Sequence, residues 1–157
     1  MAVQTSYSYE NPSGIAGGIY DLAPYEVNSR ASEEDAGKIK FGYGVVAGTV
    51  SNGVKLPASA SDDFEGVVVH KAHEEGRDGS IVLANGETFG VMRQGRIWAR
   101  VDADVTIVKG EKLYLIVSGD KAGCFTNVST NAMAIAGKFI GANEDGIAPI
   151  VLYNAAN

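Results

Sequence analysis

Apolar and polar residues alternate along much of this chain with the two-residue period of a strand, and little of it has the spacing of a helix. Residues 38–46 carry Ile39, Phe41, Tyr43 and Val45 at every second position. Residues 64–70 form a β-branched run in which Val67 and Val69 face one way and Val68 and His70 the other. Short strands are then expected at 88–94, 96–101, 106–108, 112–117 and 123–126. In the second of these, Ile97, Ala99 and Val101 share one face while Arg96, Trp98 and Arg100 share the other. In 112–117, Leu113, Leu115 and Val117 lie opposite Tyr114 and Ile116. The alanines of 132–140 would permit a helix. The turn residues at 143–146 and the apolar run 147–153 make that stretch the first arm of a closing hairpin instead.

The punctuation between these runs is equally informative. Ser51, Asn52 and Gly53 predict a hairpin turn whose central residues take positive φ, with 54–56 returning until Pro57 stops it. Residues 58–63 and the charged stretch 73–79 read as loops, and Asn85-Gly86 as a second turn. Residues 19–28 are read as a short strand broken at Pro24. The polar stretch 28–37 is read as a solvated loop in which Ser32 could cap a single helical turn. Many short strands with regularly spaced turns predict an all-β fold, a compact antiparallel β-barrel or sandwich spanning 21–157.

Residues 1–20 stand apart as an extended arm. Tyr7 and Tyr9 fall on one side of an extended chain. Asn11, Pro12 and Gly14, followed by Gly17 and Gly18, exclude a helix. Tyr7, Tyr9, Tyr20, Ile15 and Ile19 give this segment more apolar surface than an idle tail needs. A docking arm and a disordered terminus both remain open at this point.

Composition narrows the function classes. The 157 residues suit one domain with its own core. The 20 glycines, roughly twice the usual share, are scattered as turn and bulge residues. A net charge of −6 argues against a nucleic-acid partner, which would need clustered Lys and Arg. The single cysteine, Cys124, excludes an intramolecular disulfide. No apolar run is long enough to span a bilayer, and no charged-then-apolar leader opens the chain, so neither membrane insertion nor secretion is expected.

The residues that could carry chemistry do not assemble into a site. His70 and His73 point to opposite faces of a strand and have no third ligand beside them. Cys124 has no neighbouring histidine in sequence and reads as a small core residue. The carboxylate pairs Asp62-Asp63, Glu74-Glu75 and Glu144-Asp145 lie in polar loops without the apolar surroundings that raise a pKa. Residues 14–18 lack the Lys-Ser/Thr pair and following helix of a phosphate loop. No catalytic residue, cofactor or metal site is expected. Trp98 between Arg96 and Arg100 is the candidate oligomer interface, because Arg and Trp are favoured at interface cores. The alternative is a core tryptophan with the two arginines reaching outward.

One resemblance runs from about Asn11 to the end of the chain. It is carried by Asn11-Pro12 with Gly14 and Gly17, by Phe41-Gly42 with Gly44-Val45-Val46, and by Phe64 with Gly66-Val67-Val68. Gly95 with Ile97-Trp98, Gly110-Glu111 with Tyr114, Gly123 with Phe125-Thr126, and Gly137 with Phe139 complete it. In order and spacing these elements resemble the cement, or head decoration, proteins of tailed bacteriophages. The resemblance implies a non-enzymatic virion protein, made in the host cytoplasm, that binds the outer surface of an expanded icosahedral head. It implies a homo-oligomer, a trimer in preference to a dimer, bridging neighbouring major capsid proteins at local symmetry axes. It also implies a β-barrel, jelly-roll or β-tulip-like fold whose N-terminal arm joins the capsid lattice, with Val3, Tyr7, Tyr9, Pro12, Ile15 and Tyr20 as the arm's contacts. The rival readings are a tail or spike component and, from another class, a small-ligand-binding β-barrel enzyme. The enzyme would need converging polar groups in a pocket.

Overall fold

Strands that bury both faces need an interior on each side, and this chain builds two. A computed structural model describes residues 14–71 and 85–153. Its strands are β1 (Glu26–Ser32), β2 (Gly44–Ala47), β3 (Gly53–Lys55), β4 (Phe64–Val68), β5 (Thr88–Arg100), β6 (Lys112–Ile116), β7 (Phe125–Thr126), β8 (Ala132–Phe139) and β9 (Ile147–Leu152). No helix forms among the described residues. The pairing order β1-β3-β2-β4-β5 returns to β1 and closes a five-stranded barrel. All its pairs are antiparallel except β1 with β3. The second half of β5 continues into a sheet ordered β5-β9-β8-β6-β7. A parallel bridge between Val101 and Phe125 brings the far edge of that sheet back to the end of β5.

Alternation distributes the side chains. Val45, Val68, Phe89 and Val91 point into the barrel, where they meet Ile39, Phe41 and Val54. Their chain neighbours Val46, Val67 and Met92 point out through the barrel wall into a larger core under the second sheet, with Ile97, Leu115, Phe125, Phe139 and Ile150. β2, the end of β4 and the first half of β5 thus bury adjacent residues on opposite faces, which is why Val45-Val46, Val67-Val68 and Val91-Met92 are apolar pairs.

β5 changes faces part-way. Against β1, Glu26 pairs with Gln94 but Val27 pairs with Met92, so Arg93 is an extra residue on β5. Such a bulge shifts the two-residue alternation by one. Before it the odd residues Phe89 and Val91 fill the barrel, and after it the odd residues Ile97, Ala99 and Val101 fill the second core. The two strands expected at 88–94 and 96–101 are therefore one strand with a bulge.

Other expectations also change. The first half of the expected loop at 28–37 belongs to β1, a polar strand bonded on both sides, to β3 and to β5. It lacks an alternating apolar signal because most of its side chains are exposed or half-buried. Residues 38–43 do not form the first half of a strand: a turn at Phe41-Gly42 delivers Ile39 and Phe41 to the barrel interior. Residues 106–108 are not a strand either. Their backbone is held by side chains, with Asn143 Oδ1 accepting from Ile107 N–H and Asn127 Nδ2 donating to the Thr106 carbonyl. The closing hairpin forms as expected, on a two-residue loop in which Glu144 and Ile147 exchange both backbone bonds.

The hairpin between β2 and β3 exists for a different reason than expected. Gly53 is not in the left-handed region. The carboxylate of Glu33 lies where its side chain would be, since a Cβ there would come within 1.8 Å of Oε1. Glu33 accepts hydrogen bonds from the N–H groups of Thr49 and Val50, at 2.8 and 2.9 Å, and from the Thr49 hydroxyl at 3.0 Å. These donors hold its carboxyl below the ordinary value of 4.5. A depressed folded-state pKa contributes stability above the unfolded value and loses it as pH falls through the folded one. Glu33→Gln is accordingly expected to lower Tm at pH 7, and the gap to the parent protein should close as the pH is taken below 4.5. Thermal melts across that range measure both.

Candidate functional site

The chain immediately before β1 is tied to β5. Gly17 N–H donates to the Trp98 carbonyl at 2.7 Å, Trp98 N–H to the Gly18 carbonyl at 2.9 Å, and Tyr20 N–H to the Arg96 carbonyl at 3.0 Å. β9 pairs with this half of β5 from the other side. Residues 17–20 therefore supply the neighbour that β5 would otherwise lack. The Gly17 carbonyl also accepts from His70 N–H at 2.8 Å, which links the segment to the end of β4. Gly17 has φ of +78°, and a Cβ there would lie 2.7 Å from both His70 N and the Val68 carbonyl oxygen. No other residue fits this position.

The side chains of this segment cover Trp98. The Tyr20 ring lies 5.5 Å from the indole, and Gly14 rests so close that a Cβ would come within 2.3 Å of Nε1. Trp98 is left 9% exposed. Arg96 reaches Asp21 at 2.8 Å, and Arg100 Nε donates to the Phe41 carbonyl at 2.9 Å. Of the three residues singled out on this strand face, Arg96 is the one open to solvent. Of the arm residues, Tyr20 is half-buried on Trp98 and Ile15 is exposed. Val3, Tyr7, Tyr9 and Pro12 lie outside the described residues.

Sequence reasoning named Ile15 and Ile19 but missed the rest of an apolar ridge beside this anchor. Five of the nine exposed large apolar side chains among the described residues are Ile15, Ile19, Leu22, Tyr25 and Val27, and Leu22 is 99% exposed. Leu22, Tyr25 and Val27 carry a legible signal in retrospect. They flank Pro24, which keeps them out of a continuous buried strand.

The candidates for chemistry are occupied by the fold. Asp62 accepts from the N–H groups of Ala58 and Ser59, and these hold its carboxyl below the usual range. Val108 N–H and the Asn127 amide do the same for Glu111. A general acid needs the opposite shift. Burial pushes the Cys124 thiol up, away from the reactive thiolate. His70 stacks edge-on against Phe41 at 4.8 Å, whereas His73, Glu74 and Glu75 lie outside the described residues. Among the described residues no three His, Cys, Asp or Glu side chains gather as a metal set. A cleft of about 550 Å³ is lined by residues of β4 and β8 and their neighbours, among them Asp63, Phe64, Arg93, Ala134, Ala136 and Tyr153.

Comparison with known proteins decides the class. The sequence matches the family of structural cement proteins (E217 gp24/Pam3 gp6) over residues 3–153. The chain belongs to that family. Its role is that of a phage capsid cement. None of the curated proteins matches this cement protein. Its fold is shared with a chain from the solved structure "The capsid of Myoviridae Phage XM1", at 19% sequence identity and a TM-score of 0.74. The likeness covers 97% of this chain and 98% of the other. The family match includes residues that precede the anchor as well as the barrel and second sheet.

In this cement protein the anchor can be tested directly. Gly17→Ala is expected to cost on the order of 2 kcal/mol, from the left-handed backbone together with the steric clash. Tryptophan emission of the folded variant should shift to the red as Trp98 loses its cover. Urea denaturation followed by fluorescence reads both effects, because Trp98 is the one tryptophan of the chain.

Proposed function

We propose that this cement protein acts without catalysis on the outer surface of an icosahedral phage head. There it bridges neighbouring major capsid proteins. The arm, with Val3, Tyr7, Tyr9 and Pro12, and the ridge that continues it through Ile15 to Val27 make the contact. The observation that carries this reading is the position of the ridge. Exposed large apolar side chains concentrate next to the arm's root, in a segment fixed to β5 by main-chain bonds. Clustered apolar surface of this kind marks an interaction site.

The physical logic is that of strand addition and multivalency. An extended segment offers main-chain hydrogen bonds to an exposed sheet edge and alternate side chains to pockets along it. Within the described residues the cement protein's own barrel is closed and β7 is short, so the edge belongs to the partner. Each arm can bind weakly if several act together, which favours a homo-oligomer, a trimer before a dimer. Arg96, exposed at the end of the anchored strand half, is available to the contact between copies, with Trp98 and Arg100 bracing the strand behind it.

Deleting residues 1–13 should leave Tm unchanged, since the anchor begins at Gly14, but should abolish most binding to heads assembled without the protein. Co-sedimentation measures this, and decoration equal to that of the full chain would refute the arm's role. Leu22→Asp should weaken the same binding by about tenfold, as loss of one buried apolar contact would, with stability unchanged.

A further inference from the structure

The outer face of the second sheet carries a row of positive charge of which the described residues neutralise one member, Arg96. Register places Lys112 of β6 opposite Lys138 of β8, Lys138 opposite Val151 of β9, and Val151 opposite Arg96 of β5. Directly opposed residues on neighbouring strands point to the same face. Lys112, Lys138 and Arg96 are exposed and Val151 is half-buried, so cations stand at every position of this row except that of Val151. Arg96 is balanced by Asp21. Lys112 and Lys138 have no ion-pair or hydrogen-bond partner among the described residues.

Two like charges placed directly opposite each other destabilise a sheet. The chain carries 19 acidic residues against 13 Lys and Arg, so partners for these lysines are not scarce. Lysines on open edge strands are explained by protection against edge-to-edge association. That does not account for Lys138, which is paired on one side to β6 and on the other to β9. The surface beside the row is low, with exposed Ala134 and Ala136 further along the same strand.

We propose that this face is a second docking surface, which receives an acidic protein surface of the capsid lattice. The proposal rests on the capsid reading above. It separates the work of two regions: the arm and ridge supply apolar and main-chain contact, and the lysine row supplies electrostatic attraction and register. An acidic protein face suits the row better than nucleic acid does, because two lysines on a net acidic chain are too few to track a phosphate backbone.

The test is Lys138→Glu, with Lys138→Gln beside it, in binding to bare expanded heads at salt concentrations from about 50 to about 300 mM, a range over which exposed charges become screened. Lys138→Glu sets an opposite-charge pair across β6 and β8, so its Tm should rise, while head binding at the low-salt end should fall by at least about tenfold. Lys138→Gln should bind with intermediate strength. Binding of the parent protein should weaken with salt more steeply than that of either variant. A Lys138→Glu protein that binds heads as tightly as the parent would overturn the inference and leave the capsid reading intact. So would binding of the parent to duplex DNA as strong as its binding to heads. Failure of the parent itself to bind bare heads would overturn both.

Discussion

Met92 and Ile97 enter the same core although strict alternation would put them on opposite faces of β5, and the extra residue between them is what makes that possible. The packing of the second half of β5 depends on this shift. Without it, Ile97, Ala99 and Val101 would face away from the core that Met92 enters, because a one-residue slip exchanges the two faces of a strand. With it, a single strand pairs with β1 and β4 in its first half and with β9 in its second. β5 thus contributes side chains to both cores. For a protein whose work is to resist deformation of a lattice, a shared central strand is a mechanical asset, since load on either sheet reaches the other through covalent backbone.

The same strand fixes the origin of the arm. Its second half has one side left open by β9, and residues 17–20 close it. The geometry is demanding: Gly17 is pressed between β4 and β5, and Gly14 lies flat on the indole of Trp98. Residues 14–20 are thereby held in one place on the domain. The exposed apolar side chains from Ile15 to Val27 belong to the same stretch of chain that carries these bonds.

Much of the architecture was legible because alternation and turn chemistry are local signals. The faces of residues 64–70 and 96–101, the closing hairpin and the all-β class all follow from them. β1 was not legible, since a strand bonded on both sides but facing solvent has no apolar period to detect. The strand expected at 106–108 failed because a β-branched triplet can equally be held by the side chains of Asn127 and Asn143, which are distant in sequence. The candidate site was half legible. Arg96, Trp98 and Arg100 drew attention for a sound reason, their shared face. What covers Trp98, Tyr20 and Gly14, is again a long-range contact that composition cannot reveal. The lysine row is of the same kind, for only the register of four strands brings Lys112, Lys138 and Arg96 into line.

Hydrogen exchange of the free protein, read residue by residue, tests the central role of β5 most directly. The amides of β5 should exchange only through global unfolding, and the bonded amides of Gly17 and Tyr20 should share that protection. Separate exchange of the barrel and the second sheet, or fast exchange at residues 17–20 while β5 stays protected, would contradict the account.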